Sequence, residues 1–273
     1  MLYLLSTPIG NLRDLSFRAV EILNHCDYIL CEDTRHSKTL MNSYEISTPL
    51  KSYHKFNEAM REEEVLADLK KGKQIGLISD SGTPCIADPG ERLVHKCIEE
   101  GISLTAIPGP CALVQALICS GLGTFRFQFV GFLPKQQGKL KQELLKFLEY
   151  SGTTVCYESP QRIKKTLHVI TALAPSRKVV IARELTKVFE EFLRGTAQTI
   201  LDQIENRDLK GECVLLIEGQ REEIWQDLSL KDHVLLIEKT HSVTRKEAIK
   251  IVAEARGMPK RTVYQELLKT EPS

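Results

Sequence analysis

The sequence predicts an α/β protein with two domains, followed by a small helical module. Two observations support this fold class. Short apolar segments alternate with amphipathic ones along most of the chain, and loops rich in Gly and Pro follow several of the apolar segments. The 273 residues are enough to build two cores. We place the first α/β domain at residues 1–120, the second at residues 121–220 and the helical module at residues 240–273.

In the first domain, apolar runs predict strands and the segments between them predict helices. Ser16 is a suitable N-cap for a helix that ends near Cys26, and Gly101 follows the last turn of a later helix. Because strands and helices alternate, we expect a largely parallel sheet with helices on both faces. The predicted strands are Tyr3–Ser6, Tyr28–Cys31, Gln74–Ser79 and Ile102–Ile107, and the later helices are Glu58–Lys71 and Glu91–Glu100.

The alternation resumes after Gly121 and predicts a second α/β domain. Gln220–His241 is interpreted as a linker with one short apolar run, Val234–Ile237. The predicted strands of this domain are Phe125–Gly131, Thr153–Tyr157, Val179–Arg183 and Cys213–Glu218, and its predicted helices are Lys139–Glu149 and Gln161–Leu173.

The last segment has the pattern of a basic helix-turn-helix. Thr244 and Glu247 form a capping box, and a helical apolar face follows it. Residues 257–259, Gly-Met-Pro, end this helix, and a second one runs from Thr262 to Leu268. Between residues 244 and 270, seven Lys or Arg stand against three Glu. The alternative is a solvated pair of helices. The predicted apolar face consists of Ala248, Ile251, Val252 and Ala255.

Composition excludes several classes of protein. The net charge is +1, so any nucleic-acid contact must come from local basic patches. The eight cysteines form no CxxC pair and most lie in apolar runs, which indicates buried thiols in the reducing cytoplasm rather than a zinc site. Met1–Leu5 is too short for a signal peptide or a membrane span. The motifs GxGxxG, GxxxxGK[ST], HExxH and GxSxG are all missing from the sequence.

Four loops rich in Gly, Pro and Ser stand where predicted strands end. In an open parallel sheet, ligands bind at the edge formed by the carboxyl ends of the strands. Gly allows the backbone to approach a ligand closely, and Pro stiffens the turn. Since the loops belong to both predicted domains, we expect a cleft between these domains. The loops are Thr7–Asn11, Asp80–Pro84, Pro108–Pro110 and Glu158–Pro160.

These and other segments together resemble the tetrapyrrole methylase superfamily, and within it the branch that methylates ribosomal RNA. The resemblance covers nearly the whole chain, including the basic tail. Ser81 stands where the family often has Ala, and Cys111 where it has Ser or Ala. The segments, in order, are TPIGNLRDLSFRA (7–19), CEDTRHS (31–37), SDSGTPCIADPG (79–90), IPGP (107–110), GFLP (131–134), YESPQR (157–162), REL (183–185) and KGECVLLIEG (210–219).

The resemblance implies a tetrapyrrole methylase-like (class III methyltransferase) fold that binds S-adenosylmethionine between the two α/β domains. It also implies a homodimer without a metal or a membrane contact. The implied reaction is methylation of the ribose 2′-hydroxyl of a decoding-site cytidine in 16S rRNA of the small ribosomal subunit. The implied cofactor-binding residues are Pro8, Gly10, Asp80, Gly82, Thr83, Pro84, Ile86, Ala87, Asp88, Pro108, Gly109, Ala112, Tyr157, Glu158, Gly211 and Glu212.

An unactivated ribose hydroxyl is a weak nucleophile at neutral pH, so a base should assist the reaction. Glu184 and Asp33 are the candidate bases, and Arg183 is the third candidate catalytic residue. An alternative role for Arg183 and Glu184 is a salt bridge between domains or subunits. The candidate RNA-binding residues are Arg35, Lys187, Lys135, Arg245, Lys246, Lys260 and Arg261.

Two other functions remain open. The first is methylation of a corrin or porphyrin precursor, against which the basic tail and the CEDTR segment argue, because a free macrocycle needs neither. The second is RNA binding without catalysis, against which the complete set of cofactor loops argues. Cofactor binding separates the second alternative from the enzymes, and the acceptor that is methylated separates the two enzymes.

Overall fold

The computed structural model describes residues 1–220, 228–241 and 243–269. Within these residues the chain forms ten β-strands and eleven α-helices. They belong to two compact units, residues 1–219 and residues 220–273.

A parallel sheet of five strands forms the first part of the larger unit, in the order β3-β2-β4-β1-β5. Its side chains alternate between two apolar clusters, one beneath α1 and α2 and the other beneath α3 and α4. The predicted parallel sheet with helices on both faces is therefore confirmed. The elements are β1 (Leu2–Leu5), α1 (Phe17–His25), β2 (Tyr28–Cys31), α2 (Thr34–Ser43), β3 (Leu50–Ser52), α3 (Glu58–Lys70), β4 (Ile75–Ile78), α4 (Glu91–Glu99) and β5 (Leu104–Ile107).

A second sheet of five strands follows, in the order β6-β7-β10-β8-β9. Only β6 and β7 are parallel, whereas the other three pairs are antiparallel. The sequence pattern did not distinguish these directions, because strands buried on both faces are apolar runs in either case. The elements are β6 (Phe127–Phe132), α6 (Gln137–Glu149), β7 (Thr153–Glu158), α7 (Pro160–Leu173), β8 (Lys178–Arg183), β9 (Glu191–Thr196), α8 (Ala197–Ile204) and β10 (Cys213–Ile217).

The helix α5 (Ala112–Ser120) covers one face of this second sheet. Leu113, Ala116 and Leu117 pack against Val180 and Val214. The helices α6, α7 and α8 cover the opposite face, where a separate apolar cluster forms. Although α5 directly follows the last strand of the first sheet, its apolar side chains belong to the core of the second.

The smaller unit consists, in its described part, of α9 (Leu230–His241), α10 (Arg245–Ala255) and α11 (Lys260–Lys269). The interpretation of residues 220–241 as a linker was wrong for residues 230–241, since α9 packs Val234 into the core of this unit. Residues 221–227 of that linker, and residue 270 of the basic segment, lie outside the described residues. The capping box of Thr244 and Glu247 is confirmed.

The apolar face predicted for α10 needs a correction. Ala248 and Val252 are buried as predicted, but Ile251 is 37% exposed and Ala255 is exposed. Ile249 and Ala253 are buried instead, because α9 and α11 both contact α10 and together cover a wider face than one neighbour would.

No helix within residues 1–220, 228–241 and 243–269 is long and apolar enough to cross a membrane.

Candidate active site

A cleft of about 400 Å³ lies between the two sheets, inside the larger unit. Loops that follow β1, β4 and β5 form one wall, and the ends of β6, β7 and β8 form the other. The start of β10 also reaches the cleft. Because β10 is antiparallel to its neighbours, Cys213 pairs with Glu158 at the end of β7 and with Arg183 at the end of β8.

Hydrogen bonds join the three loops of the first sheet. Thr7 and Gly82 form an antiparallel bridge, with N–O distances of 2.9 and 3.1 Å. The hydroxyl of Thr83 lies 2.9 Å from that of Ser6 and donates to the carbonyl of Pro110 at 3.0 Å. This wall of the cleft is therefore a connected structure rather than three independent loops.

The loop after β4 has an unusual backbone. Cys85 and Ala87 have φ angles of 68° and 64°, in the left-handed region that residues other than Gly rarely adopt. Such conformations cost about 1–3 kcal/mol each and are concentrated at functional sites. The loop accepts this cost at the point where Ile86 and Ala87 line the cleft.

An aromatic cluster forms part of the opposite wall. The Tyr157 ring packs edge-on against Phe129 and Phe132, with centroid distances of 4.9 and 5.5 Å. Burial raises the pKa of the Tyr157 hydroxyl, and the nearby Cys111 adds a smaller rise. The hydroxyl therefore remains protonated at neutral pH. This wall offers an apolar surface with a neutral polar group.

Two carboxylates of the first sheet line the cleft. Asp80 accepts a hydrogen bond from the backbone N–H of Asp33 at 3.1 Å. Burial raises the pKa of Asp88 to about 6, and the charges of Glu32 and Asp80 add to this rise, against the opposing hydrogen bond from Ser79. Asp88 is therefore mostly ionised at pH 7 but readily takes up a proton.

Eleven of the sixteen residues predicted to bind the cofactor line this cleft. The loop after β4 and the end of β7 contribute most of them. The eleven are Asp80, Gly82, Thr83, Ile86, Ala87, Asp88, Ala112, Tyr157, Glu158, Gly211 and Glu212.

The side chain and the backbone of Glu158 have different roles. Its carboxylate is fully buried and accepts hydrogen bonds from Ser159 N at 2.9 Å and from the Thr166 hydroxyl at 2.8 Å, with Arg162 at 3.4 Å. The carboxylate therefore fastens the start of α7, and the backbone is the part of Glu158 that remains for a ligand.

Pro8, Gly10, Pro84, Pro108 and Gly109 are not among the residues that line the cleft. Two of them, Gly10 and Gly109, instead lie where the wall of the cleft packs closely against other segments. A Cβ atom at Gly10 would come within 2.4 Å of the Lys187 side chain, and one at Gly109 within 2.8 Å of Ser6. These two glycines thus allow close packing between protein segments, which sequence alone cannot distinguish from close approach of a ligand.

Several lining residues lie outside the predicted set. Ile9, Ser81, Ser159 and Pro160 fall inside the predicted loops, and Phe132 and Leu185 inside the GFLP and REL segments. Cys111 directly follows the loop Pro108–Pro110. Cys213 and Val214 were missed because an apolar strand gives no sign that its first residues reach a cleft.

The carboxylate of Asp33 caps a helix rather than lining the cleft. It accepts hydrogen bonds from the Arg35 backbone at 2.8 Å and from the Arg35 guanidinium at 3.1 Å. These two hydrogen bonds hold the pKa of Asp33 below its usual range. Asp33 and Arg35 reach the cleft only indirectly, through the bond from Asp33 N to Asp80.

Glu184 and Lys187 lie behind the loop that carries Gly211 and Glu212. One oxygen of Glu184 accepts hydrogen bonds from Lys187 Nζ at 3.0 Å and from Glu212 N at 3.1 Å. Burial acts to raise the pKa of Glu184, but the hydrogen bonds and the positive charges outweigh it, and the pKa is lowered. A Cβ atom at Gly211 would overlap this carboxylate at 1.9 Å, so only Gly allows the contact.

Arg183 forms a salt bridge within the second sheet, at a position that does not line the cleft. Its guanidinium lies 2.8 Å from Glu191, its cross-strand partner on β9, and donates to the Lys210 carbonyl at 3.0 Å. Arg207 binds the same carboxylate at 2.7 Å. With Arg207 as the largest cause, these bonds lower the pKa of Glu191 to about 2.

The other predicted RNA-binding residues are exposed. Lys135 precedes α6, and the remaining four lie in the first turns of α10 and α11 of the smaller unit. They are Arg245, Lys246, Lys260 and Arg261. In the described part of the chain, no group of three His, Cys, Asp or Glu residues is arranged to hold a metal ion.

Two β-sheets covered by helices, with a ligand-sized cleft where their strand ends adjoin, define an α/β protein that binds a small molecule between its sheets. Residues 1–201 match the family described as tetrapyrrole (corrin/porphyrin) methylases, and the chain belongs to this family.

Relatives similar to this chain are named ribosomal RNA small subunit methyltransferase I. The protein of Halalkalibacterium halodurans is 44% identical, over 96% of this chain and 93% of its own length. The protein of Synechocystis sp. is 42% identical, over 99% of this chain and 98% of its own length. The protein of Bacillus subtilis is 41% identical, over 97% of this chain and 92% of its own length.

Two solved structures share the fold. A cobalt precorrin-4 methyltransferase of cobalamin biosynthesis has a TM-score of 0.56 at 15% identity, covering 80% of this chain and 94% of its own. The uroporphyrin-III C-methyltransferase of Thermus thermophilus has a TM-score of 0.52 at 16% identity, covering 80% and 93%. At these identities the likeness concerns the fold alone.

Proposed function

We propose that this protein transfers a methyl group from S-adenosylmethionine to the ribose 2′-hydroxyl of a decoding-site cytidine in 16S rRNA, in the cytoplasm. The coarser part, methylation of ribosomal RNA with S-adenosylmethionine, is what the family and the names of the relatives support. The observation that carries the proposal is the cleft in which the loops of both sheets meet, in a chain similar to those relatives over almost its entire length.

The cleft fits the cofactor in size and in chemistry. Its volume of about 400 Å³ lies in the range of small-molecule sites. The aromatic surface of Tyr157 and Phe132 suits a purine ring, and the backbone groups around Gly82 and Gly211 suit the polar part. The residues we propose to hold the cofactor are the eleven predicted ones that line the cleft, with Ile9, Cys111, Phe132 and Leu185. Asp88 contributes to this set through its backbone, which leaves its carboxylate for another role.

The bound cofactor supplies an activated methyl group, so the chain must orient the acceptor and remove a proton. Orientation alone contributes roughly 7–11 kcal/mol in favourable model systems. Asp33 and Glu184 both have lowered pKa values and are hydrogen-bonded to other parts of the protein. We therefore propose that they position the cleft loops, and that neither is the base.

We propose that the exposed basic residues contact RNA phosphates. Arg245 and Lys246 begin α10, and Lys260 and Arg261 begin α11, where helix N-termini add further attraction for an anion. The homodimer implied by the family resemblance is also part of the proposal. Analytical ultracentrifugation at several concentrations would detect it, and a single monomeric species throughout would contradict it.

The test is transfer of tritiated methyl groups to small ribosomal subunits that lack the modification, followed by nucleoside analysis. We expect label in one 2′-O-methylated cytidine. The control incubates the same protein with a panel of corrin and porphyrin precursors. Label in a tetrapyrrole, or cofactor binding with no acceptor methylated, would overturn the proposed function.

A further inference from the structure

A second cavity, of about 710 Å³, opens beside the cofactor cleft. We call it the acceptor groove, and it lies between the residue that follows β2, the start of α3 and the first half of α4. The groove and the cleft share two residues, Ala87 and Asp88. Among the residues that the structure describes, Asp88 is the only ionisable one that lines both cavities.

One oxygen of Asp88 is held and the other is available. The Ser79 hydroxyl accepts from Ser81 N at 3.1 Å. Its single hydrogen has two acceptors within reach, Oδ2 of Asp88 at 2.9 Å and the Ser81 carbonyl at 3.1 Å, and Oδ2 is the nearer. Within the described part of the chain, Oδ1 accepts no hydrogen bond from protein. A fixed carboxylate with one available oxygen at the junction of two cavities is suited to receive a hydrogen bond from a bound hydroxyl.

The surroundings of Asp88 favour proton uptake. The carboxylates that face it are Glu32, which follows β2, and Asp80, which follows β4. Together with burial they raise the pKa of Asp88 to about 6, close to the pH at which the reaction must run. The other ionisable residues of the groove are Lys55, Glu58, Glu91, Arg92, His95 and Lys96.

We propose that the acceptor nucleotide occupies the acceptor groove and that Asp88 is the catalytic base that takes the proton from its ribose hydroxyl. This inference rests on the proposed function and identifies the base. The O–H bond of the acceptor breaks as its proton moves to Asp88, and a bond forms between the oxygen and the methyl carbon. The carbon–sulfur bond breaks, and its electron pair stays on sulfur. Asp88 then releases the proton to solvent through the groove.

The test compares Asp88→Asn with the wild-type protein in single-turnover methyl transfer to small ribosomal subunits between pH 5 and pH 9. The wild-type rate should rise with pH through about 6 and then level off, because the carboxylate must be ionised. In D88N the rate should fall by about 10²- to 10⁴-fold and lose this dependence. Calorimetry should give a dissociation constant for S-adenosylmethionine within about twofold of wild type.

Two further variants separate catalysis from structure. Glu32→Gln should move the inflection of the pH profile to lower pH, because it removes a neighbouring negative charge, and Asp88 should still give a pH-dependent rate. Asp202→Asn changes an exposed carboxylate on α8 far from this chemistry and should behave as wild type.

The outcomes are distinguishable. If the wild-type protein is active and D88N is equally active, Asp88 is not the base, but the proposed function stands. The same holds if weaker cofactor binding accounts for the whole loss of activity in D88N. A pH profile unaltered by E32Q also counts against Asp88 as the titrating group. A wild-type protein that binds the cofactor but labels no rRNA overturns the proposed function and the base with it.

Discussion

Asp88 illustrates how a functional requirement can reduce stability. Its pKa in the folded protein, about 6, lies above the ordinary value of 3.8, so the folded state binds the proton more tightly than the unfolded chain. The stability associated with this group is fully present below about pH 4 and is lost as the pH rises through 6. At neutral pH the ionised carboxylate therefore destabilises the fold.

We expect Asp88→Asn to stabilise the protein at pH 8, because Asn carries no charge and can still accept the hydrogen bond from Ser79. The free energy of unfolding should rise by about 1–3 kcal/mol at pH 8, and this increase should become smaller toward pH 4. Thermal unfolding at several pH values measures it, with Asp202→Asn as the control that should change little. Equal melting temperatures of D88N and wild type at pH 8 would contradict the raised pKa.

At the scale of elements, the sequence predicted four of the five strands of each sheet, without β3 and β9, but it indicated strand direction only for the first sheet. The strands β1, β2 and β4 of the first sheet are apolar runs, each followed by a loop and a helix, so both their type and their direction could be inferred. Direction in the second sheet depends on the connection of residues 184–190 between β8 and β9 and on the placement of β10. Neither feature has a signature in a run of apolar residues.

Four helices, α2, α5, α8 and α9, were not predicted, and for α2 and α9 the causes differ. The helix α2 is largely polar, with only Ser37, Leu40 and Met41 buried, so it lacks a strong apolar stripe. In α9 the positions Leu230, Val234 and Ile237 do follow a helical period, and they form part of its core contact. That pattern was present in the sequence, and the linker interpretation overlooked it.

The helix α5 connects packing to the candidate site. Its apolar side chains belong to the second sheet, while Cys111 and Ala112 at its start line the cleft beside loops of the first sheet. The Leu117 side chain is 3% exposed within that apolar cluster. Displacing α5 should therefore disturb stability and cofactor binding together.

We expect Leu117→Ala to cost about 2–5 kcal/mol of stability, as for other buried Leu residues, and to weaken S-adenosylmethionine binding severalfold. The matched control is Leu201→Ala on α8, which is buried against the opposite face of the same sheet and whose helix contributes no residue to the cleft. Calorimetric titration well below both melting temperatures makes the comparison. Equal affinities in the two variants would show that α5 does not couple packing to the cleft.

At the scale of the whole molecule, the two compact units have separate cores. The apolar clusters of residues 1–219 contain none of the described residues of the smaller unit, and the described helices of that unit share a cluster of their own. The residues proposed to hold the cofactor belong to the larger unit, whereas four of the seven predicted RNA-binding residues belong to the smaller one. In the sequence, the segment from 244 to 270 differs from the rest of a nearly neutral chain by its local excess of Lys and Arg.

Truncation after Gln220 should therefore separate the two binding activities. We expect the dissociation constant for S-adenosylmethionine to stay within about twofold of wild type, because the cleft and its supporting cores are retained. Affinity for the small ribosomal subunit should fall, and its salt dependence should become shallower, because fewer phosphate contacts release fewer counterions. A full-length protein with Gln in place of Arg245, Lys246, Lys260 and Arg261 is the control that keeps the helices, and it should change in the same direction. Filter binding at several salt concentrations measures both proteins, and a truncated chain that binds and methylates subunits as well as wild type would show that the larger unit alone recognises the RNA.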